Sequence, residues 1–136
     1  YGKSEILFEE KDIAIFALGS MVSTGKHLRE KLKKKGLHVS LINARFVKPV
    51  DYDMIAHLCK RHKLIITLEE NVLRGGLGLM VDKFVGSHFS KVKVLNISIP
   101  DEYIDHGDVT SLRKEIGIDS DSVIEKVLEY LKIGDL

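Results

Sequence analysis

The chain has 136 residues, 44% of them hydrophobic and 30% charged, which is the size and make-up of one water-soluble globular domain able to bury a core. Its 21 basic and 20 acidic side chains leave a net charge of +1, which argues against a nucleic-acid or anionic-membrane partner. No stretch reaches the roughly 20 apolar residues of a membrane helix, and the one cysteine, Cys59, builds no disulfide framework and suits a reducing, cytoplasmic compartment.

The start, Tyr1-Gly2-Lys3-Ser4-Glu5, has neither an initiator Met nor the pattern of a signal peptide, as expected of a fragment or a processed product. Glu5 to Glu9 reads as a short strand, and Lys11-Asp12 as a tight reversal. The next run, Ile13-Ala14-Ile15-Phe16-Ala17-Leu18, is apolar on both faces, as a strand covered on both sides must be. Together they read as a hairpin with the first strand at a sheet edge. Gly19-Ser20 then opens a helix whose stripe is Met21, Gly25, Leu28 and Leu32, and Gly36 stops it. Lys33-Lys34-Lys35, with Arg29 and Lys31, reads as a solvated face whose positive charge complements the helix C-terminus. No aromatics interleave it, as single-strand binding would want.

Val39 to Ile42 is the next strand. Pro49 blocks helix, Asp51 caps one, and Tyr52 to Arg61 follows. Leu64 to Leu68 is a third buried strand. Gly75-Gly76-Leu77-Gly78 leads into a helix striped by Leu77, Met80, Val81, Phe84 and Val85. Val92 to Ile97 is the last core strand, broken by Pro100-Asp101. Two short helices close the chain. Asp108 caps the first, which ends at Gly117; Asp119 or Ser120 caps the second, striped by Ile124, Val127, Leu128 and Leu131. Alternating strands and helices predict one α/β domain of three layers. Its sheet of about five strands is mostly parallel, with an antiparallel N-terminal edge strand and helices on both faces.

In such sheets, function gathers at the carboxyl ends of the strands. Those ends carry Gly19-Ser20, Asn43-Ala44-Arg45, Glu69-Glu70-Asn71 and Pro100-Asp101. An ion pair from Arg45 to Glu69 or Glu70 across neighbouring strand ends is expected to be a structural network. The glycines at 75, 76 and 78 have neither dinucleotide nor P-loop spacing, and Glu69 and Glu70 would repel phosphate. A carboxylate occupying the positive end of the helix explains both features, leaving the glycines to serve a tight turn and close packing. His57, Cys59 and His62 do not share one helix face, so no metal site is read from them, and Cys59 reads as a small apolar residue. Ser20, Asp101 and His106 lack the nucleophile elbow a triad would need. The stretch from Ile99 to Asp108 holds Tyr103, His106 and aspartates 101, 105 and 108, more than a connection needs, with Arg113 one turn beyond. A partner- or anion-binding loop and a plainly capped surface helix both fit it. No residue is assigned as catalytic, cofactor-binding or metal-ligating.

Four segments in order carry a resemblance: Ala44-Arg45-Phe46-Val47-Lys48-Pro49-Val50-Asp51; Thr67-Leu68-Glu69-Glu70-Asn71 with Gly75-Gly76-Leu77-Gly78; Ile99 to Gly107; and Leu112-Arg113-Lys114-Glu115-Ile116-Gly117-Ile118-Asp119. With Ala17-Leu18-Gly19-Ser20-Met21, they resemble the C-terminal domain of the 1-deoxy-D-xylulose-5-phosphate synthase family, in the transketolase superfamily. Val50 and Ile118 stand where that family more often has Leu. The resemblance implies a parent transferase that decarboxylates pyruvate on thiamine diphosphate with Mg²⁺. It then joins the product to glyceraldehyde 3-phosphate, feeding non-mevalonate isoprenoid, thiamine and pyridoxal synthesis. It implies that two other domains hold the cofactor, through a Gly-Asp-Gly metal motif and an activating Glu that match nothing here. This chain would support assembly of a homodimer and be inactive alone, with His106 and Arg113 bordering the substrate entrance or the dimer seam. The Pro-x-Asp, Glu-Glu and Gly-Gly-x-Gly pattern is shared with 2-oxo acid dehydrogenase beta subunits. That kind of domain, or a stand-alone assembly or regulatory module, is the alternative.

Overall fold

The doubly apolar run beginning at Ile13 dictates the centre of the fold. In the computed structural model, which describes residues 3–19, 21–45, 50–70, 76–99 and 125–131, it forms β2 (Asp12–Ala17), buried from Ile13 onward. Around it, in chain order, stand β1 (Glu5–Phe8), α1 (Met21–Lys34), β3 (Val39–Asn43), α2 (Tyr52–Cys59), β4 (His62–Glu70), α3 (Leu77–His88) and β5 (Lys93–Ile99). Residues 125–131 form a further helix, α4. The strands make one sheet in the order β1-β3-β2-β4-β5. Every pair is parallel except β1 with β3.

The expected hairpin does not form. β1 pairs with β3 instead, Glu5 opposite Asn43 and Ile6 opposite Ile42. The reason is burial. β2 is enclosed on both faces and takes parallel neighbours on both edges, whereas no residue of β1 is fully buried, so β1 suits an edge. The link between them crosses β3 and is held there by the Glu10 N–H, which donates to Ser40 Oγ at 2.7 Å. Asp12 takes the turn at φ 72°.

The pleat of β2 sorts the core into two layers. Ile13, Ile15 and Ala17 meet Met21, Leu28 and Leu32 of α1 and Val127 of α4. Ala14 and Phe16 face Ile55 and Leu58 of α2 and Leu77, Val81 and Val85 of α3. The helical stripes read from the sequence are therefore the buried faces, as is that of α4, where Leu128 and Leu131 pack on the first layer. Gly25 lets α1 lie close on the sheet: a Cβ there would stand 2.9 Å from Leu41 Cδ1. Gly36 ends α1's last turn at φ 87°. α2 is two residues shorter than expected because the chain turns at Lys60 and Arg61 and enters β4 at His62. The first of the two short terminal helices, with Asp108 and Gly117, lies outside the described residues, as do Asp119, Ser120 and Ile124.

Arg29 corrects the reading of the basic run. It lies on the buried side of α1, its side chain only 8% exposed. Its Nε donates to the Val39 carbonyl at 2.8 Å, its Nη2 bonds Glu10, and its guanidinium sits 3.9 Å from the Phe8 ring centroid. Lys33, Lys34 and Lys35 are exposed.

Asp51 is the expected cap of α2 and also a tie. Oδ1 accepts the Met54 N–H at 3.1 Å, while Oδ2 accepts the N–H and Oγ–H of Ser4 at 2.8 and 2.9 Å. Burial pushes this carboxyl up, but the hydrogen bonds from Ser4 and Met54 outweigh it and hold the pKa below 3.8. A carboxyl with a depressed folded pKa stabilises the fold above its unfolded value, and the contribution is lost as pH falls through the folded one. Asp51→Ala is expected to cost about 2 kcal/mol at neutral pH, a drop of roughly 8 °C in Tm. The deficit should shrink on acidification below about pH 4. A thermal melt at neutral and acid pH checks both; an unchanged neutral Tm would contradict the tie.

Candidate functional site

The carboxyl edge of the sheet is organised by one buried side chain. Glu69 ends the apolar part of β4 and is 3% exposed. Its Oε1 accepts the Leu77 N–H at 2.8 Å and its Oε2 the Gly78 N–H at 2.5 Å. Those amides open α3, where backbone N–H groups lack partners and the helix dipole is positive. A phosphate would seek the same position, and the carboxylate already fills it. Gly78 is required by this closeness: a Cβ there would lie 2.8 Å from Asn96 Cγ and 3.1 Å from Glu69 Oε2. The expected carboxylate at the helix start and the packing role of a glycine are thus both present.

Beside it, β4 and β5 place Thr67 opposite Asn96. Thr67 Oγ1 donates to Asn96 Oδ1 at 2.6 Å, and Asn96 Nδ2 donates to Asp82 Oδ2 of α3 at 3.0 Å. Strand, edge strand and helix are laced together at this corner. The sequence reading missed Thr67, Asn96 and Asp82; its one signal was Asn96 standing among the apolar Val94, Leu95 and Ile97.

Arg45 and Glu69 are not brought together. β2 lies between β3 and β4, so their strand ends are two spacings, about 10 Å, apart and are not neighbours as supposed. Arg45 is exposed at φ 63°, its N–H donating to Asn43 Oδ1 at 3.0 Å. Among the described residues no ion pair joins Arg45 to Glu69, and the side chain of Glu70 lies outside the description. Ser20, Asp101, Tyr103, Asp105, His106, Asp108 and Arg113 also lie outside the described residues.

His57, Cys59 and His62 sit at the opposite edge and point apart. The exposed His57 bonds Glu9 Oε2 through Nε2 at 2.8 Å, and Arg61 reaches the same oxygen at 3.1 Å. The bond from His57 lowers the Glu9 pKa, more than burial raises it, and Arg61 adds to the effect. Cys59 lines a cavity of about 300 Å³ with His88, Phe89, Ser90, Lys91 and Val92. Burial pushes its thiol up to about 11, so at neutral pH it is protonated and a poor nucleophile. His62 is buried against Ser40 and Leu58. Among the described residues no group of His, Cys, Asp or Glu could hold a metal ion, and no helix is long and apolar enough to cross a membrane. The hydroxyl of Ser40 does meet the imidazole of His62 at 2.8 Å, but both are buried and lie away from the carboxyl edge of the sheet.

The chain that folds into this mostly parallel sheet, with one antiparallel edge and helices on both faces, matches by sequence the family model "Transketolase, C-terminal domain" over residues 2–123. The chain belongs to the transketolase C-terminal domain family. Within it, the chain is 46% identical over 128 residues to 1-deoxy-D-xylulose-5-phosphate synthase of Lachnoclostridium phytofermentans, covering 93% of this chain and 20% of that protein. It is 40% identical over 131 residues to the enzyme of that name from Caldanaerobacter subterraneus subsp. tengcongensis, covering 96% of this chain and 21% of that one. The chain spans about a fifth of the length of these curated relatives. A solved structure described as a split gene transketolase, inactive beta4 tetramer, superposes with a TM-score of 0.82 at 23% identity, covering 96% of this chain and 42% of that one. At that identity it supports the fold alone.

Proposed function

We propose that this chain is the C-terminal domain of a thiamine-diphosphate-dependent synthase. The parent enzyme condenses pyruvate, after decarboxylation, with glyceraldehyde 3-phosphate to give 1-deoxy-D-xylulose 5-phosphate, the entry to non-mevalonate isoprenoid precursors. The observation that carries this reading is 46% identity over 93% of the chain to a relative of that name. The four motif segments in order agree with it.

In this reading the domain's part is structural. Thiamine diphosphate and Mg²⁺ would be held by the other two domains of the parent. The described residues do not fit the cofactor: the glycine-rich start of α3 is closed by Glu69, and no described cluster suits a divalent cation. The partners are those two domains and a second copy in a cytoplasmic homodimer, and His106 and Arg113 border the substrate entrance or the dimer seam.

The test is an assay of the complete polypeptide that contains this chain. With thiamine diphosphate and Mg²⁺ it should form deoxyxylulose phosphate and CO₂ from pyruvate and glyceraldehyde 3-phosphate. Activity instead as a 2-oxo acid dehydrogenase component, with a lipoyl acceptor, would overturn the synthase reading. His106→Ala and Arg113→Ala in that polypeptide should each weaken turnover or dimerisation. Loss of neither would remove both residues from the proposal.

A further inference from the structure

The buried histidine at the amino edge of the sheet has a hydrogen-bond chain whose direction is fixed at every link. The Leu58 carbonyl can only accept, so the 2.7 Å contact from His62 Nδ1 requires the proton on Nδ1. Nε2 of the neutral ring is then an acceptor, and its 2.8 Å partner, Ser40 Oγ, donates to it. Ser40 Oγ in turn accepts the Glu10 N–H at 2.7 Å. The chain runs from the β1–β2 connection through β3 to β4 and the end of α2. Ser40 is 0% and His62 3% exposed, so bulk water does not replace a lost link.

We propose that the Glu10–Ser40–His62 chain is a proton-sensitive latch, which holds the β1–β2 connection on the sheet and releases it when His62 Nε2 is protonated. A proton on Nε2 turns the acceptor into a donor facing the Ser40 hydroxyl. The hydroxyl hydrogen must then turn away from the ring, and a buried donor left without an acceptor is costly. Opening the connection relieves the conflict.

Glu9 from the connection favours the proton on His62, while Arg61, before β4, and His57 of α2 oppose it. Burial is the largest influence, lowering the imidazole pKa below 6.5 and outweighing the raising effect of the Leu58 bond. Asp12 pairs with His62 across β2 and β4, and the neighbouring Cys59 thiol stays neutral. A histidine with a depressed folded pKa leaves the closed state stable above 6.5 and destabilised as pH falls from there toward the folded value.

The experiment is NMR on this chain, reading the His62 tautomer and the amide protection of Glu10 against pH. The neutral ring should carry its proton on Nδ1. Glu10 protection should fall by up to about tenfold per pH unit below the ordinary imidazole value, while Ile15 and Ile66 in the sheet centre keep theirs. In His62→Gln that response should be flat. In Ser40→Ala, Glu10 should already be unprotected at neutral pH, with no further loss in acid; this variant serves if His62→Gln fails to fold. A proton on Nε2 in the neutral ring, or a Glu10 protection that ignores pH, overturns the latch. So does an acid response in His62→Gln equal to that of the unaltered chain.

Discussion

Glu69→Ala is expected to lower the unfolding free energy by about 3 kcal/mol, among the largest losses any single substitution here should cause. The carboxylate accepts the Leu77 and Gly78 N–H groups while almost fully buried. Alanine leaves both amides without acceptors in a space that the carboxylate had filled, and removes a negative charge from the positive end of α3. Glu69→Gln keeps the shape but turns one acceptor into an NH₂ facing an N–H, so it should lose part of the stability and not all. Urea unfolding followed by circular dichroism gives both values from the midpoints. A loss under about 1 kcal/mol for the alanine variant would mean that α3 is held by its apolar stripe and not by this cap.

The second large effect concerns Arg29. Arg29→Ala should cost about 3 kcal/mol, the scale of breaking a mostly buried ion pair. Four contacts go at once: the bond to the Val39 carbonyl, one of the partners of Glu10, the exposed pairing with Glu30, and the cation over Phe8. Arg29→Lys should recover little, because one ammonium cannot serve the carbonyl, the carboxylate and the ring face together. Glu10 keeps Lys33 at 2.7 Å, so it is not orphaned. The hydrogen bond from Lys33 lowers its pKa, with burial opposing and Arg29 adding to it. That part of the stability is present above pH 4.5 and fades as pH falls through the depressed value. A double-mutant cycle of Arg29→Ala with Glu10→Gln isolates the pair. Simple additivity would show that Arg29 acts through Val39 and Phe8 and not through Glu10.

These two sites also show what a sequence reveals and what it hides. Glu69 was legible because a carboxylate just before a glycine-rich helix start has a local reason to be there. The same is true of Asp51 as a cap, Gly36 as a stop, and the paired faces of β2. Each depends on residues close in the chain. Arg29 was not legible: within a run of lysines nothing local marks one cation as buried, and its partners come from Glu10 and Val39. The pairing of β1 was misread for the same reason. An edge strand chooses its neighbour by which edge remains open once the central strands have taken theirs, and that choice is made by β2, β3 and β4 together. The supposed Arg45 to Glu69 contact failed because it assumed a strand order that places β2 elsewhere. Asn96 carried a faint signal, but its links to Thr67 and Asp82 needed the register of β5.

The role proposed for this domain is to frame a thiamine-diphosphate enzyme without holding its cofactor. The most direct measurement is calorimetric titration of thiamine diphosphate with Mg²⁺ into this chain, with a thermal melt to establish that it is folded. The expected result is a cooperative melt that the cofactor does not shift, and no heat of binding beyond dilution. Stoichiometric binding with a raised Tm would contradict it, and would place cofactor-binding residues inside the domain itself.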